Sequence, residues 1–398
     1  MKILFLSRWF PFPTDNGSKL RIYNLLRGLA DRHEVHLLSF ADEPADAEKK
    51  ELQAICATVR VAPWREFRPS NLSALMGFFH PQPRSLIDTY SAEMENAIQQ
   101  ALLGEDFDLV ILSQWQMAAY RHLVKDVPAL FEEIEVGVLY EQYQKAAGLA
   151  RMRAALTWHK HRRFLDRVLM GETCTVVSEK EQSLLLSLVS EADIHVIPNA
   201  VSVQSYEHVH EAPEPDTMIF TGSFRYRPNY EAMIWFAGFV LPLIQEQIPH
   251  VRLTITGDPA GLPFPAYQGV VQTGFVDNIY PLIARSWVSV VPLLVGGGTR
   301  LKILEAMALG TPVVSTSKGA EGLNAQPGKQ LLIGNTAEQF ARQTIVLLRD
   351  VDLRKRLAVD ALRFVKEQYD WEAVLPIFLD VVESAGRKNF QEDEAFVR

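Results

Sequence analysis

The chain has 398 residues, of which 48% are hydrophobic and 22% charged, which excludes a disordered polypeptide and suffices for more than one core. The formal net charge of −8 argues against binding to nucleic-acid phosphates as its main task. Two distant cysteines, Cys56 and Cys174, with no CxxC pair, suggest neither a disulfide framework nor a zinc site and fit a reducing cytoplasm.

Lys2 to Ser7 reads as a buried strand, because its apolar run is too short for a signal segment and Arg8 interrupts it. A loop with Pro11, Pro13 and Gly17 follows, then a helix over 19–29 by its Leu20, Tyr23, Leu26, Leu29 spacing. Val35 to Phe40 is the second strand, and this opening βαβ unit predicts a doubly wound sheet. A third strand lies within 52–62. The stretch from Trp64 to Tyr90 reads as irregular or as a short amphipathic helix, facing either the core, an acceptor or a lipid surface.

Phe107 to Ser113 is a further buried strand. Asp106 and Asp108 form a D-x-D at its start, whereas ligands of parallel sheets bind beyond the carboxyl ends of the strands. They therefore read as solvated acids, and no metal site is expected. The same rule promotes Gln114, just past the strand. Pro128 to Phe131 is the next strand, and Glu132, Glu133 and Glu135 crowd its end, placed either to hold acceptor hydroxyls and assist proton transfer or to pair with nearby cations. Lys145 to Arg167 carries seven cations against Asp166, with Trp158 and Phe164 interleaved; it reads as an anionic-membrane contact or as a solvated helix face paired with the acids of 132–141.

Thr173 to Ser178 is a strand, and Ser178 with Glu181 forms a capping box for the helix that follows. Residues 207–215 are polar and proline-bearing, as expected of a linker. A second domain begins at Met218 to Gly222, with the loop GSFRYRPN carrying Arg225 and Arg227 ahead of a helix over 230–239. Strands follow at 251–257 and up to Gly274, then a helix over 279–286.

Val288 to Leu323 is the stretch with the strongest chemical pattern: strand, glycine loop, helix, strand. Gly296, Gly297 and Gly298 let the backbone approach a ligand, Thr299 is a candidate N-cap, and Gly310 with Pro312 ends the helix. Free amides at such a helix start favour an anion. Arg300 and Lys302 stand where cations oppose the helix dipole, an arrangement that a bound phosphate would reverse. The alternative is an ordinary crossover with a Lys302–Glu305 surface pair. Helices are expected over 337–348, 352–367 and 371–385, with a frayed tail after Gly386, and no run is apolar enough to span a membrane.

The segment GGGTRLKILEAMALGTPVV resembles the retaining, nucleotide-sugar-dependent glycosyltransferases of family 4, in which Glu-x7-Glu precedes Ala-Met-Ala-x-Gly-x-Pro-Val-Val. Glu305 matches the second glutamate, while Gly297 stands where the first belongs. VIPNAV at 196–201 resembles the family's Ile-Pro-Asn-Gly-Val, with Ala200 in the glycine's place. The resemblance implies an α/β GT-B fold, with two Rossmann-like doubly wound domains facing a central cleft. The acceptor domain would span 1–205, joined by the helix 371–385, and the donor domain 206–370. It further implies sugar transfer with retention, no metal or other cofactor, and donor contacts from Gly17, Arg225, Gly297, Gly298, Thr299, Arg300, Lys302 and Glu305. Arg300 and Lys302 would neutralise the leaving diphosphate and Glu305 would hold the ribose. Gln114, near a position where many members carry histidine, and Glu133 would face a saccharide or lipid-linked acceptor. A cytoplasmic enzyme at the inner face of a membrane is expected. The rival readings are a GT-B nucleotide-sugar epimerase and a non-catalytic binding protein.

Overall fold

The computed structural model describes residues 1–41, 46–189, 191–297 and 300–396, with backbone alone at 46–47 and 388–396. The chain divides into two units, Met1–Pro198 together with the chain from Leu375, and Asn199–Val374.

The first unit is built on seven parallel strands: β1 (Lys2–Ser7), β2 (Glu34–Phe40), β3 (Thr58–Ala62), β4 (Leu109–Ser113), β5 (Ala129–Glu132), β6 (Thr173–Val176) and β7 (Asp193–Val196). Their order is β3-β2-β1-β4-β5-β6-β7, with Ile3 paired to Val35 on one side and Leu109 on the other. The central strands are apolar on both faces because helices cover both. One covering helix, Gly17–Ala30, starts where the Asn16 side chain accepts from the Lys19 N–H at 3.1 Å. It buries Ile22, Leu25, Leu26 and Leu29, one stripe at helical spacing. Gly28 lies against Leu375, whose Cδ2 would be 2.7 Å from a Cβ at that position.

The second unit holds β8 (Glu214–Thr221), β9 (Arg252–Thr256), β10 (Val270–Gly274), β11 (Ser286–Val291), β12 (Val313–Ser315) and β13 (Leu332–Ile333). All pairs are parallel, in the order β10-β9-β8-β11-β12-β13. Strand order reverses between β1 and β4 in the first sheet and between β8 and β11 in the second. The loops leaving those strands frame the crevice where such sheets bind ligands.

Several expectations change. The division falls at Pro198, ahead of the expected 205, because the Val201 N–H donates to the Tyr369 carbonyl and the Trp371 N–H donates to the Val201 carbonyl. Residues 207–215 are therefore inside the second unit, and Glu214 already begins β8. The last helix runs Trp371–Phe396 instead of fraying after Gly386, and that glycine lies against Met1. The 64–90 stretch contains two short helices, Leu72–Met76 and Arg84–Thr89. Ser178 caps its helix, but Glu181 does not reach back to it. The Glu181 carboxylate instead accepts from the Val136 and Gly137 N–H groups, at 2.9 and 3.1 Å, and so caps the helix Gly137–Lys145. Cys56 and Cys174 are both buried and unbridged.

Candidate functional site: two switch points

In the second unit the loop after β8 turns at Gly222, where φ is +145°. A Cβ at this position would lie 2.7 Å from both the Asn229 amide nitrogen and the Lys302 ammonium, so glycine is what lets that ammonium approach the loop. Lys302 Nζ donates to Asn229 Oδ1 at 3.0 Å and stands 4.2 Å from the centre of the Phe220 ring. Asn229 in turn donates to the Ser223 carbonyl at 2.8 Å, which fixes its orientation. Gly296, on the loop after β11, has φ +106° and lies beside the Tyr226 hydroxyl and the Arg300 guanidinium. The β8 and β11 loops therefore meet at one place, as the strand order requires.

Arg300 is only 8% exposed, and its Nε and Nη2 have no hydrogen-bond partner. It occupies the N-cap position of the helix Leu301–Ala308, one residue beyond the expected cap at Thr299. Burial, and then the neighbouring Arg300, pull the Lys302 pKa down to about 7. Burial pushes the Glu305 carboxyl up to about 7, against the opposing pull of Lys302. No ion pair joins Lys302 to Glu305 among the described residues. Tyr206 and Tyr280 meet edge to face at 4.8 Å, and burial followed by the Glu305 charge raises both phenols.

Arg225 does not join this group. Its side chain is exposed, and its Nε donates to the Asp258 carboxylate. Asn229, four residues on, supplies the partner for Lys302 instead. Gly297 lies in the loop between Gly296 and Arg300, and Gly298 and Thr299 fall outside the described residues. Asn229, Tyr226, Tyr206 and Tyr280 carry no motif that marks them in the sequence. The one signal for Asn229 is its place seven residues past a strand-ending glycine.

The first unit's switch point is acidic. Glu132, fully buried, accepts from Arg21 Nε at 2.6 Å and from Ser113 Oγ at 2.6 Å. Arg21 is itself 1% exposed and also donates to the Pro198 carbonyl at 3.1 Å. Gly17 stands one turn before Arg21, as the first residue of their helix. Gln114 and Glu133 both have left-handed backbone, with φ +71° and +56°, which is rare for side chains of their size. They meet there: Gln114 Nε2 donates to Glu133 Oε2 at 3.1 Å, while Gln114 Oε1 is buried without a partner. Burial, then the Glu132 charge, raises the Glu133 pKa.

The D-x-D acids have structural surroundings. Asp108 accepts from the Lys2 N–H at 2.6 Å, and Asp106 is exposed. A second D-x-D, Asp350-Val351-Asp352, is a helix cap in which Asp350 accepts from the Leu353 N–H at 2.8 Å. Glu34, His36 and Glu105 cluster with metal-like spacing at the opposite end of the sheet from the switch point, but the Lys2 ammonium already stands 2.8 Å from Glu105 and 3.5 Å from Glu34.

Apart from Lys145, which ends the preceding helix, the cations of the stretch lie on the helix Gly148–Leu169, which buries Trp158, His161, Phe164 and Leu165. Lys145 pairs with Glu141. Arg151, Arg153, Arg162, Arg163 and Arg167 are exposed and have no carboxylate partner among the described residues.

Two parallel, doubly wound sheets of this kind define a GT-B protein. The same fold appears over 96% of the chain in sucrose-phosphate synthase from Thermosynechococcus elongatus, at 16% identity and TM-score 0.68 over 99% of that chain. It appears again in Anabaena HepE in complex with UDP and glucose, at 16% identity and TM-score 0.64, covering 96% of this chain and all of that one. A third example is WaaG, a glycosyltransferase involved in lipopolysaccharide biosynthesis, at 14% identity and TM-score 0.61, covering 97% and 99%. Residues 16–200 match the family described as glycosyl transferase 4-like domain, and residues 215–350 match glycosyl transferases group 1. The chain belongs to the group 1 glycosyltransferases of the family 4 type. An uncharacterized 44.6 kDa protein in the cps region of Klebsiella pneumoniae is 23% identical over 94% of this chain and 97% of its own length.

Proposed function

We propose that this glycosyltransferase moves a sugar from a nucleotide-sugar donor, bound by the second unit, to a saccharide or lipid-linked acceptor bound by the first. Transfer proceeds with retention and without a metal. The observation that carries the reading is Arg300, a buried guanidinium with two unpartnered N–H-bearing nitrogens beside Lys302. A diphosphate fits there because it supplies acceptors for both groups and reverses their mutual repulsion. As the anomeric C–O bond breaks, the electron pair leaves with the diphosphate, where Arg300 and Lys302 stabilise the growing charge. The acceptor hydroxyl attacks from the same face and its proton passes to the departing phosphate oxygen. Glu305 holds the ribose hydroxyls, and Gln114 and Glu133 orient the acceptor. The UDP-glucose bound by HepE supports the donor class. The role of WaaG in lipopolysaccharide biosynthesis supports a saccharide or lipid-linked acceptor. No described helix is long and apolar enough to cross a membrane, and we place the enzyme in the cytoplasm, touching the inner membrane face peripherally.

A thermal-shift screen of nucleotide sugars, followed by turnover of the best donor with EDTA present, tests this. Transfer that survives chelation, with the product anomer matching the donor, is expected. Loss of activity with EDTA and recovery with Mn²⁺ would overturn metal independence. Epimerised donor, or binding with no turnover, would overturn the transferase reading.

A further inference from the structure

The first unit has an apolar face that its own fold leaves uncovered. Leu149, Met152 and Leu156 follow one another at helical spacing along the helix Gly148–Leu169 and are 85%, 70% and 40% exposed. The same stripe continues to Lys160, whose ammonium donates to the Gly77 and Phe78 carbonyls at 2.8 Å each. That contact joins the helix to the turn just past Leu72–Met76, and in this stretch Leu72, Met76 and Phe79 are 73%, 64% and 95% exposed. Large side chains gathered in this way are more than scattered surface apolars.

Leu149 of this face also lines a groove of about 780 Å³, together with Leu139, Ala150, Ala154 and Trp115. One of its lining residues, Trp115, directly follows Gln114 of the strained Gln114–Glu133 pair. Phe67, Ser85 and Trp115 also line a second cavity, of about 630 Å³, that reaches Arg8 and Trp9 past the carboxyl end of β1. The two cavities share these three lining residues, one cavity extending toward the exposed apolar stripe and the other toward the loop after β1.

Two cations line the groove, Arg84 and Arg153. They are close enough that Arg153 helps lower the Arg84 pKa, after burial as the main cause. Arg84 donates to the Pro69 carbonyl at 2.7 Å and stacks 4.2 Å from the Phe78 ring centre, yet its Nε is buried without a partner. The Asp88 charge acts on Arg84 in the opposite sense, but its carboxylate forms its hydrogen bonds elsewhere: it accepts from the Arg68 N–H at 2.9 Å, from Asn71 at 3.0 Å and from the Ser73 hydroxyl. Neither guanidinium has a carboxylate partner among the described residues. Two adjacent arginines without an ion-pair partner among the described residues, in a mostly apolar groove, are suited to a phosphate that carries a hydrocarbon chain.

We propose that this groove seats a phosphate-linked lipid acceptor drawn from a membrane. Its hydrocarbon chain lies along the groove, its phosphate sits at Arg84 and Arg153, and its saccharide points toward Gln114 and Glu133. The exposed apolar stripe and the unpaired arginines of the same helix rest on the anionic bilayer that supplies the lipid. The proposal deepens the acceptor assignment above and rests on it.

The test is co-sedimentation of the full chain with three vesicle preparations: phosphatidylcholine alone, phosphatidylcholine with phosphatidylglycerol, and phosphatidylcholine with a polyprenyl phosphate at the same total charge. Polyprenyl phosphate should recruit the protein about tenfold better than matched phosphatidylglycerol, reflecting at least one charge-assisted bond. Arg153→Glu should abolish that preference. Ala150→Trp, at an exposed position, and Ala154→Trp should block the groove and do the same while the melting temperature and the nucleotide-induced thermal shift stay at wild-type values. Equal recruitment by the two charged vesicles would reduce the face to a charge contact and overturn the groove. No recruitment by either would overturn face and groove together. Donor binding is read on the other unit, so its loss would sink the proposed function while leaving these outcomes interpretable.

Discussion

Replacing Arg300 with methionine separates a ligand-binding role from a structural one by the sign of its effect on stability. The guanidinium is 8% exposed, and two of its nitrogens have no partner, so it contributes desolvation cost to the unliganded fold without compensating bonds. An unsatisfied buried polar group costs about 1–3 kcal/mol, and methionine keeps most of the aliphatic packing. The variant should therefore melt at or above the wild-type temperature. With donor present the order reverses. Each charge-assisted bond to phosphate contributes about 1.5–3 kcal/mol, so losing two lowers kcat/KM by at least about a hundredfold. The thermal shift given by the best nucleoside diphosphate should vanish. Melting curves with and without that nucleotide, together with steady-state kinetics, read all three quantities. A variant that melts several degrees early yet binds nucleotide and turns over donor normally would refute the reasoning and make Arg300 a scaffold residue.

Lys302→Ala should lower kcat/KM about ten- to a hundredfold, whereas Glu305→Gln, which weakens acceptance from the ribose, should mainly raise the donor KM. The pH dependence of unliganded stability has a sign that follows from the same pair. Glu305, raised to about 7, holds a proton in the folded state that the unfolded chain has released, so its contribution falls as pH rises from the usual carboxylate range to about 7. Lys302, lowered to about 7, has lost a proton that the unfolded chain still holds, so its contribution rises above about pH 7. Melting temperature against pH should dip near neutrality; Glu305→Gln should flatten the acid side and Lys302→Met the alkaline side, and an unchanged profile in both would contradict the assignment. In the first unit, Glu132→Ala strands the buried Arg21 and should cost about 3–5 kcal/mol in urea unfolding, while the Arg21→Met, Glu132→Leu double variant should recover most of it. Glu133→Gly relieves a left-handed backbone, worth about 1 kcal/mol, and removes a desolvated carboxyl. It should raise the melting temperature and depress transfer to acceptor more than hydrolysis of donor; equal loss of both would place Glu133 outside acceptor binding.

Strands buried on both faces were legible because a short, dense apolar run bounded by polar and turn residues suits a buried parallel strand and little else. Lys2–Ser7 matches residue for residue, and the remaining central strands match to within a few positions. The edge strand Asp193–Val196 and the two-residue β13 were not legible, since neither is apolar enough to stand out. The loop proposed to hold the donor was read from Arg300 and Lys302, whose charges conflict with the local helix dipole. That reasoning works on residues whose cost is visible in the sequence. Arg225 shows where it stops: a cation in a loop is equally plausible facing a ligand or pairing outward, and only the position of Asp258, 33 residues on, decides. Glu181 fails in the same way, because a capping box and a long-range cap to Gly137 share one local signature. The left-handed backbone at Gln114 and Glu133 was invisible, since neither residue type announces a positive φ.

The two sheets solve the same geometric problem with opposite charge. Each reverses its strand order once, and each gathers like charges at the carboxyl ends beside that reversal. In the second unit, burial together with Arg300 makes Lys302 give up its proton easily. In the first, burial together with Glu132 makes Glu133 retain one. Folding alone selects against both arrangements, because an apolar pair of similar volume would pack at least as well. What they have in common is a group poised to change charge when a ligand of the opposite character arrives. Under the proposed function, a diphosphate would restore the proton to Lys302. In the same proposal, an acceptor hydroxyl would find at Glu133 a carboxyl able both to donate and to accept. Nucleotide binding above about pH 7 should therefore take up a proton at Lys302, opposed by any release from Glu305. In Glu305→Gln the uptake stands alone, and affinity should weaken by up to about tenfold for each further unit of pH. Calorimetry of nucleotide binding in two buffers of different ionisation enthalpy measures that proton directly. Identical heats in both buffers at about pH 8, above the Lys302 value, would show that Lys302 does not change charge on binding, and would return it to the role of a scaffold lysine held by Asn229.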